Sequence, residues 1–181
     1  MRKYVVAVLI MLSSFALAEE NNKGKISLIF NGEKIELPID IVTIRKGDNI
    51  IVSTRAVSSN KKVQQMITLE WEVESLSAED SSLSLYNNFR LNIRSNKKNK
   101  KEELRFRMNN NGKEGELFVR KGNRTWKLTS FAMKFGIEKI SFENASIIIK
   151  GSLSLKARDV KSKTPLEAVS EIEDCKFEII I

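Results

Sequence analysis

Histidine is absent from all 181 residues. With it go a histidine general base, the Ser-His and Cys-His pairs, and every zinc site that needs imidazole. Cysteine occurs once, at Cys175, so no disulfide can close within the chain, even in an oxidising compartment. Proline occurs twice: Pro38 interrupts a strand-like run, and Pro165 stands where a helix could begin. Tryptophan and tyrosine are too scarce past the first residues, at Trp71, Trp126 and Tyr86, to build two aromatic girdles around a lipid-spanning barrel. No apolar run reaches the roughly 18–20 residues of a membrane-crossing helix.

The residues left over offer little for catalysis. Ser59 to Lys62 and Ser95 to Lys98 match Ser-x-x-Lys, but both read as polar loop and lack the companion motifs of Ser-Lys enzymes. The acidic pairs Glu79-Asp80 and Glu173-Asp174 lack the ligand spacing of a dedicated calcium loop. The sequence therefore predicts no enzyme, no cofactor and no metal site.

At the N-terminus, Met1-Arg2-Lys3 leads into the apolar run Tyr4 to Leu12 and a small-residue Ala16-Leu17-Ala18 ending. This reads as a secretory signal over 1–18, cut near Ala18, and predicts an exported chain, periplasmic or extracellular, of bacterial type. Loss of Arg2 and Lys3 would lower the basic count from 31 to 29 against 23 acidic residues, a formal +6. The remaining 19–181 fits one domain.

Within it, apolar residues recur at every second position, the period of a half-buried strand. Ile26, Leu28 and Phe30 share one parity, and Ile35, Leu37, Ile39 and Ile41 share one parity after Asn31-Gly32. Asn-Gly supplies the two positive φ angles of a type I′ hairpin turn. Pro38 cannot donate to a ladder, so its strand is expected at an edge or with a bulge there. Ile50 to Val57 returns, and Val63 to Val73 sets Ile67, Leu69 and Trp71 against Thr68, Glu70 and Glu72. Further strands are expected at Leu83 and Leu85, Phe89 to Ile93, Leu104 to Met108, Leu117 to Val119, Trp126 to Phe131, Ser141 to Ile149, Ser152 to Ala157 and Lys176 to Ile181. Asn144-Ala145-Ser146 is read only as a chance glycosylation triplet. Thr164-Pro165-Leu166-Glu167 has the form of a capping box, predicting one short helix near 165–171.

Such spacing predicts an all-β antiparallel sandwich. The alternatives are a closed, lipocalin-like up-and-down barrel that carries a small apolar ligand and an eight-stranded outer-membrane barrel. The expected core is Ile35, Leu37, Ile67, Leu69, Trp71, Leu91, Phe106, Leu117, Leu128, Ile147, Leu153, Phe177 and Ile179. Cys175 shares the parity of Phe177 and Ile179 and should be a buried, inert thiol.

The candidate binding residues lie on the polar parity. Arg90, Arg94, Arg105 and Arg107 occupy one hairpin whose expected tip, Asn96 to Lys101, carries Lys97, Lys98, Lys100 and Lys101. Arginines directly opposite one another repel, so carboxylates should lie beside them. The set is either a solvated Glu-Arg ladder or a cationic surface for an anionic envelope polymer. The partner could equally be another envelope protein. Specific nucleic-acid binding is disfavoured, because Trp71, Phe89 and Phe106 have the buried parity and cannot interleave with the cations.

The stretch Ile149-Lys150-Gly151-Ser152-Leu153-Ser154-Leu155-Lys156-Ala157, with Glu171-Ile172-Glu173-Asp174-Cys175-Lys176-Phe177-Glu178-Ile179, resembles the closing strands of small exported bacterial β-sandwich proteins of unknown function. There a Gly-led strand precedes a final strand with an Asp-Gly bulge ahead of a Phe; Cys175 stands in the place of that glycine. The resemblance covers about the last thirty-five residues and implies no catalytic or binding positions. The function expected overall is non-catalytic: a binding or structural accessory domain of the envelope.

Overall fold

A computed structural model describes residues 23–58, 63–73, 88–97, 100–109, 114–128, 131–157 and 170–181. The expected signal segment 1–18, the strand expected at Leu83 and Leu85, Ser59 to Lys62, the pair Glu79-Asp80, and the expected helix up to residue 169 lie outside them. Residues 170 and 171 open a strand instead.

The described chain forms eleven strands: β1 Gly24–Phe30, β2 Glu33–Lys46, β3 Ile50–Val57, β4 Val63–Val73, β5 Asn88–Lys97, β6 Lys100–Asn109, β7 Glu114–Lys121, β8 Arg124–Leu128, β9 Phe131–Glu143, β10 Ser146–Ala157 and β11 Ser170–Ile180. All neighbours pair antiparallel in one sheet, in the order β8-β7-β6-β5-β4-β3-β2-β1-β11-β10-β9. The expected all-β, antiparallel character is present, carried by a single sheet curled into a half-barrel whose end strands are β8 and β9. The first strand closes against the last, Gly24 opposite Ile179 and Ile26 opposite Phe177.

Alternation drives this shape, because each strand has one apolar face to hide. The inner faces of the two ends of the sheet meet. Trp71 of β4, Phe89 of β5 and Phe106 of β6 are fully buried and face rings from the other end. Phe89 lies 4.7 Å from Phe135 of β9, Phe106 4.9 Å from Phe131 of β9, and Trp71 5.8 Å from Phe177 of β11. Such ring pairs contribute about 0.5–1.5 kcal/mol beyond the area they bury. The expected core is buried throughout except for Ile147, which is half-buried against it. Glutamates and arginines point outward, the reverse of a lipid-embedded barrel, which turns its apolar side chains to the outside. No described helix is long and apolar enough to cross a membrane.

Bulges bend the sheet, since an extra residue in one strand kinks it and raises the local twist. One sits at Asp40 of β2, one at Glu138 of β9, and one at Glu173-Asp174 of β11. The last holds Asp174 at φ 46°, just ahead of Cys175. One departure from the sequence reading follows directly from a bulge. Asp40 reverses the parity of β2, so Ile41 turns outward and is 38% exposed instead of joining Ile39 in the core. Strand β2 is interior, not an edge; at Pro38 it pairs with Lys25 of β1, while its ladder to β3 begins only at Ile39.

The span 141–149 is two strands. Asn144 and Ala145, at φ 50° and 61°, make a tight turn between β9 and β10. Asn31 and Gly32, at 51° and 79°, form the turn their sequence announces. Gly151 keeps β10 continuous through 146–157, because Phe177 of β11 crosses directly over it: a Cβ there would come within 2.4 Å of the ring and 2.5 Å of the Gly136 carbonyl oxygen.

Candidate functional site

Strands β3 to β7 display their polar parity in straight cross-strand rows on the outer face. One row runs Val57, Met66, Arg94, Glu103, Arg120, each directly opposite the next. The next runs Arg55, Thr68, Asn92, Arg105, Phe118, Lys127. A third runs Ser53, Glu70, Arg90, Arg107, Glu116. The rows arise because five consecutive antiparallel strands keep register without a bulge, so side chains of one parity line up across the twist.

The first row, with Arg105 of the second, borders a groove of about 600 Å³ that continues to Gln64, Asn96 and Lys101. Its centre is Glu103, whose side chain is only 12% exposed. Arg94 donates from Nε to Glu103 Oε1 at 2.8 Å; Arg105 donates from Nε to the same oxygen at 2.8 Å and from Nη2 to Oε2 at 3.2 Å. The Arg105 guanidinium, with help from Arg94 and against partial burial, holds the Glu103 carboxyl below its ordinary value. The carboxylate in turn raises Arg105 further above its usual pKa. Arg120 and Lys101 line the same groove, and Arg120 donates from Nε to the Gly122 carbonyl oxygen at 3.1 Å. A second carboxylate on the lining, Glu102, accepts from Asn31 Nδ2 at 3.2 Å. Four cations thus border the groove against two carboxylates, with Val57 and Met66 lining it at its β3–β4 end.

The third row confirms the electrostatic expectation. Arg90 and Arg107 lie directly opposite each other, flanked by Glu70 and Glu116. Glu70 also accepts from Arg45, so it serves two guanidiniums, at 3.1 Å and 3.3 Å. Lys127, with a smaller contribution from Arg107, holds Glu116 below its ordinary value.

The eight sequence candidates therefore divide. Arg94, Arg105 and Lys101 converge on the groove. Arg90 and Arg107 belong to the neighbouring ladder, Lys97 pairs with Glu33 of β2, and Lys100 is exposed opposite Lys97. Lys98 lies outside the described residues. The expected tip at Asn96 to Lys101 is mostly strand, since β5 runs to Lys97 and β6 starts at Lys100. Ser95 is likewise a buried strand residue rather than a loop serine. The other groove residues were not among the candidates, notably Glu103, Arg120 and Met66. The parity of Leu117 and Val119 marks Arg120 as outward, but only the register of β6 with β7 sets it opposite Glu103.

Cys175 is buried and burial pushes its thiol up to about 12. Among the described residues no three His, Cys, Asp or Glu side chains gather where they could hold a metal. Comparison with protein-family models, with curated proteins and with solved structures finds no match.

Proposed function

We propose that the chain is a non-catalytic, exported binding domain whose outward groove takes an anionic polymer of the cell envelope. The observation that carries this reading is the convergence of Arg94, Arg105, Arg120 and Lys101 from β5, β6 and β7 around the little-exposed Glu103. Glu103 orients two guanidinium planes, while Arg94 and Arg105 each keep about half of their side-chain surface in solvent. Planar guanidiniums suit phosphate and carboxylate oxygens, which they can engage in a bidentate manner. The groove lies across the strands, so a polymer could pass along it and reach Met66 and Val57 beyond the cations.

A synthetic poly(glycerol phosphate) is the probe, with neutral dextran as control, titrated calorimetrically. Binding should weaken steeply with salt, and the combined change R94A/R105A/R120A should lower affinity by about tenfold or more as counterion-releasing contacts are lost. The pair R90A/R107A, in the adjacent ladder, should cost less. Glu103→Gln should tighten binding, because it frees both arginines from their own carboxylate. Equal binding of dextran, or indifference to the triple change, would reject the proposal.

The carrier reading has less support. A lipocalin-like site needs an open interior, and here Trp71, Phe89, Phe106, Phe135 and Phe177 meet ring to ring across the inside of the curl.

A further inference from the structure

Among the described strands β9 ends the sheet, and it is thirteen residues long. Ile147 exchanges both backbone hydrogen bonds with Ile181, at 2.9 Å each. It therefore turns away from its other cross-strand neighbour, Phe142, and in an antiparallel ladder Phe142 must aim its own N–H and C=O at the open edge. Alternation extends this to Ile140 and, across the Glu138 bulge, to Ile137 and Phe135. Among the described residues, Ile137, Ile140 and Phe142 thus turn their backbone groups to a side of β9 that carries no further strand.

We propose that this strand is a second copy of β9, paired antiparallel about a two-fold axis between Glu138 and Lys139. Opposite residues in an antiparallel pair must share a face, and β9 changes parity at its bulge. Inward are Phe135, Ile137, Ile140 and Phe142; outward are Lys134, Glu138, Lys139, Ser141 and Glu143. Placing the axis between Glu138 and Lys139 sets Ile137 opposite Ile140 and Phe135 opposite Phe142 on the inner face. On the outer face, Lys134 meets Glu143 and Glu138 meets Lys139. Moving the register by one or two residues in either direction sets an inward side chain against an outward one.

Charge favours the same arrangement. Lysines on an edge strand ordinarily discourage pairing, yet here each one faces a carboxylate of the other copy. Within one copy Glu143 makes a loose, exposed contact with Lys139, at 3.9 Å. The pairing would also cover Phe142, which is 58% exposed, the most exposed large apolar side chain among the described residues. A dimer of this kind is isologous and closed, so it ends at two copies.

Sedimentation equilibrium of the full chain tests it. A reversible dimer is expected. Lys134→Glu, which creates two like-charge pairs at once, should raise the dissociation constant about tenfold. The double change K134E/E143K should return it to within about threefold of the original, since it restores both opposite-charge pairs. Phe142→Pro, which removes an edge N–H and the exposed ring together, should leave a folded monomer by circular dichroism. A chain that stays monomeric at every concentration, a double change no better than the single one, or a dimer unaffected by Phe142→Pro would overturn the proposal.

Discussion

At the scale of single residues, two side chains carry most of the testable chemistry. Glu103 has a folded pKa below its ordinary 4.5 because two guanidiniums favour its charged form. A depressed carboxyl pKa contributes stability that is fully present above the ordinary value and is lost as pH falls through the lowered one. Wild type should therefore exceed Glu103→Gln in stability at neutral pH, by at most about 1 kcal/mol because both arginines are half exposed. The gap should close as the solution is acidified below 4.5, which urea denaturation at several pH values would check. Cys175 is the second case. With its thiol pushed up to about 12 by burial, almost no thiolate exists at pH 8, and a thiol reagent such as DTNB should label the protein only after unfolding. The parity of Cys175 with Phe177 was legible in the sequence. The partnership of Glu103 with Arg94 and Arg105 was not, because it depends on a register between strands that no local pattern encodes.

At the scale of elements, alternation located most strands, and β3 and β4 match their predicted limits residue for residue. The misreadings cluster where the period slips. Phe131, Met133, Phe135 and Ile137 alternate clearly, but Glu138 adds a residue, and the following Ile140 and Phe142 fall on the opposite numerical parity. The turn behind them also carries an unusual signal. Asn144-Ala145 lacks the glycine that marks such turns, and Ala145 sits at φ 61°, where a Cβ costs roughly 1–2 kcal/mol. Ala145→Gly should accordingly stabilise the protein by about 1 kcal/mol, seen as a higher urea midpoint with an unchanged slope. Asn31-Gly32, where the glycine is present, needs no such help.

At the scale of the whole molecule, the sheet is a meander along most of its length and is joined between its termini by β1 and β11, some 150 residues apart in sequence. Closing so long a loop costs entropy before the contact rewards it. Refolding is therefore expected on the millisecond-to-second scale, with β1–β11 pairing late, and stopped-flow mixing monitored by Trp71 fluorescence should show it. Rings from β4, β5 and β6 cannot become buried until β9 and β11 arrive over them, so the aromatic core should report this step directly.

Sequence alone determined that the protein is built of antiparallel strands with one greasy and one charged face, because side chains in a strand alternate whatever their neighbours do. It also determined that the arginines would need carboxylates beside them, since like charges cannot stand opposite one another unrelieved. Only the tertiary structure decided that one continuous sheet would curl on itself, that Arg120 would join Arg94 and Arg105 around Glu103, and that β9 would be left at an edge. Those outcomes depend on register, on bulges and on which strand closes against which, and these are set by contacts between residues far apart in the chain.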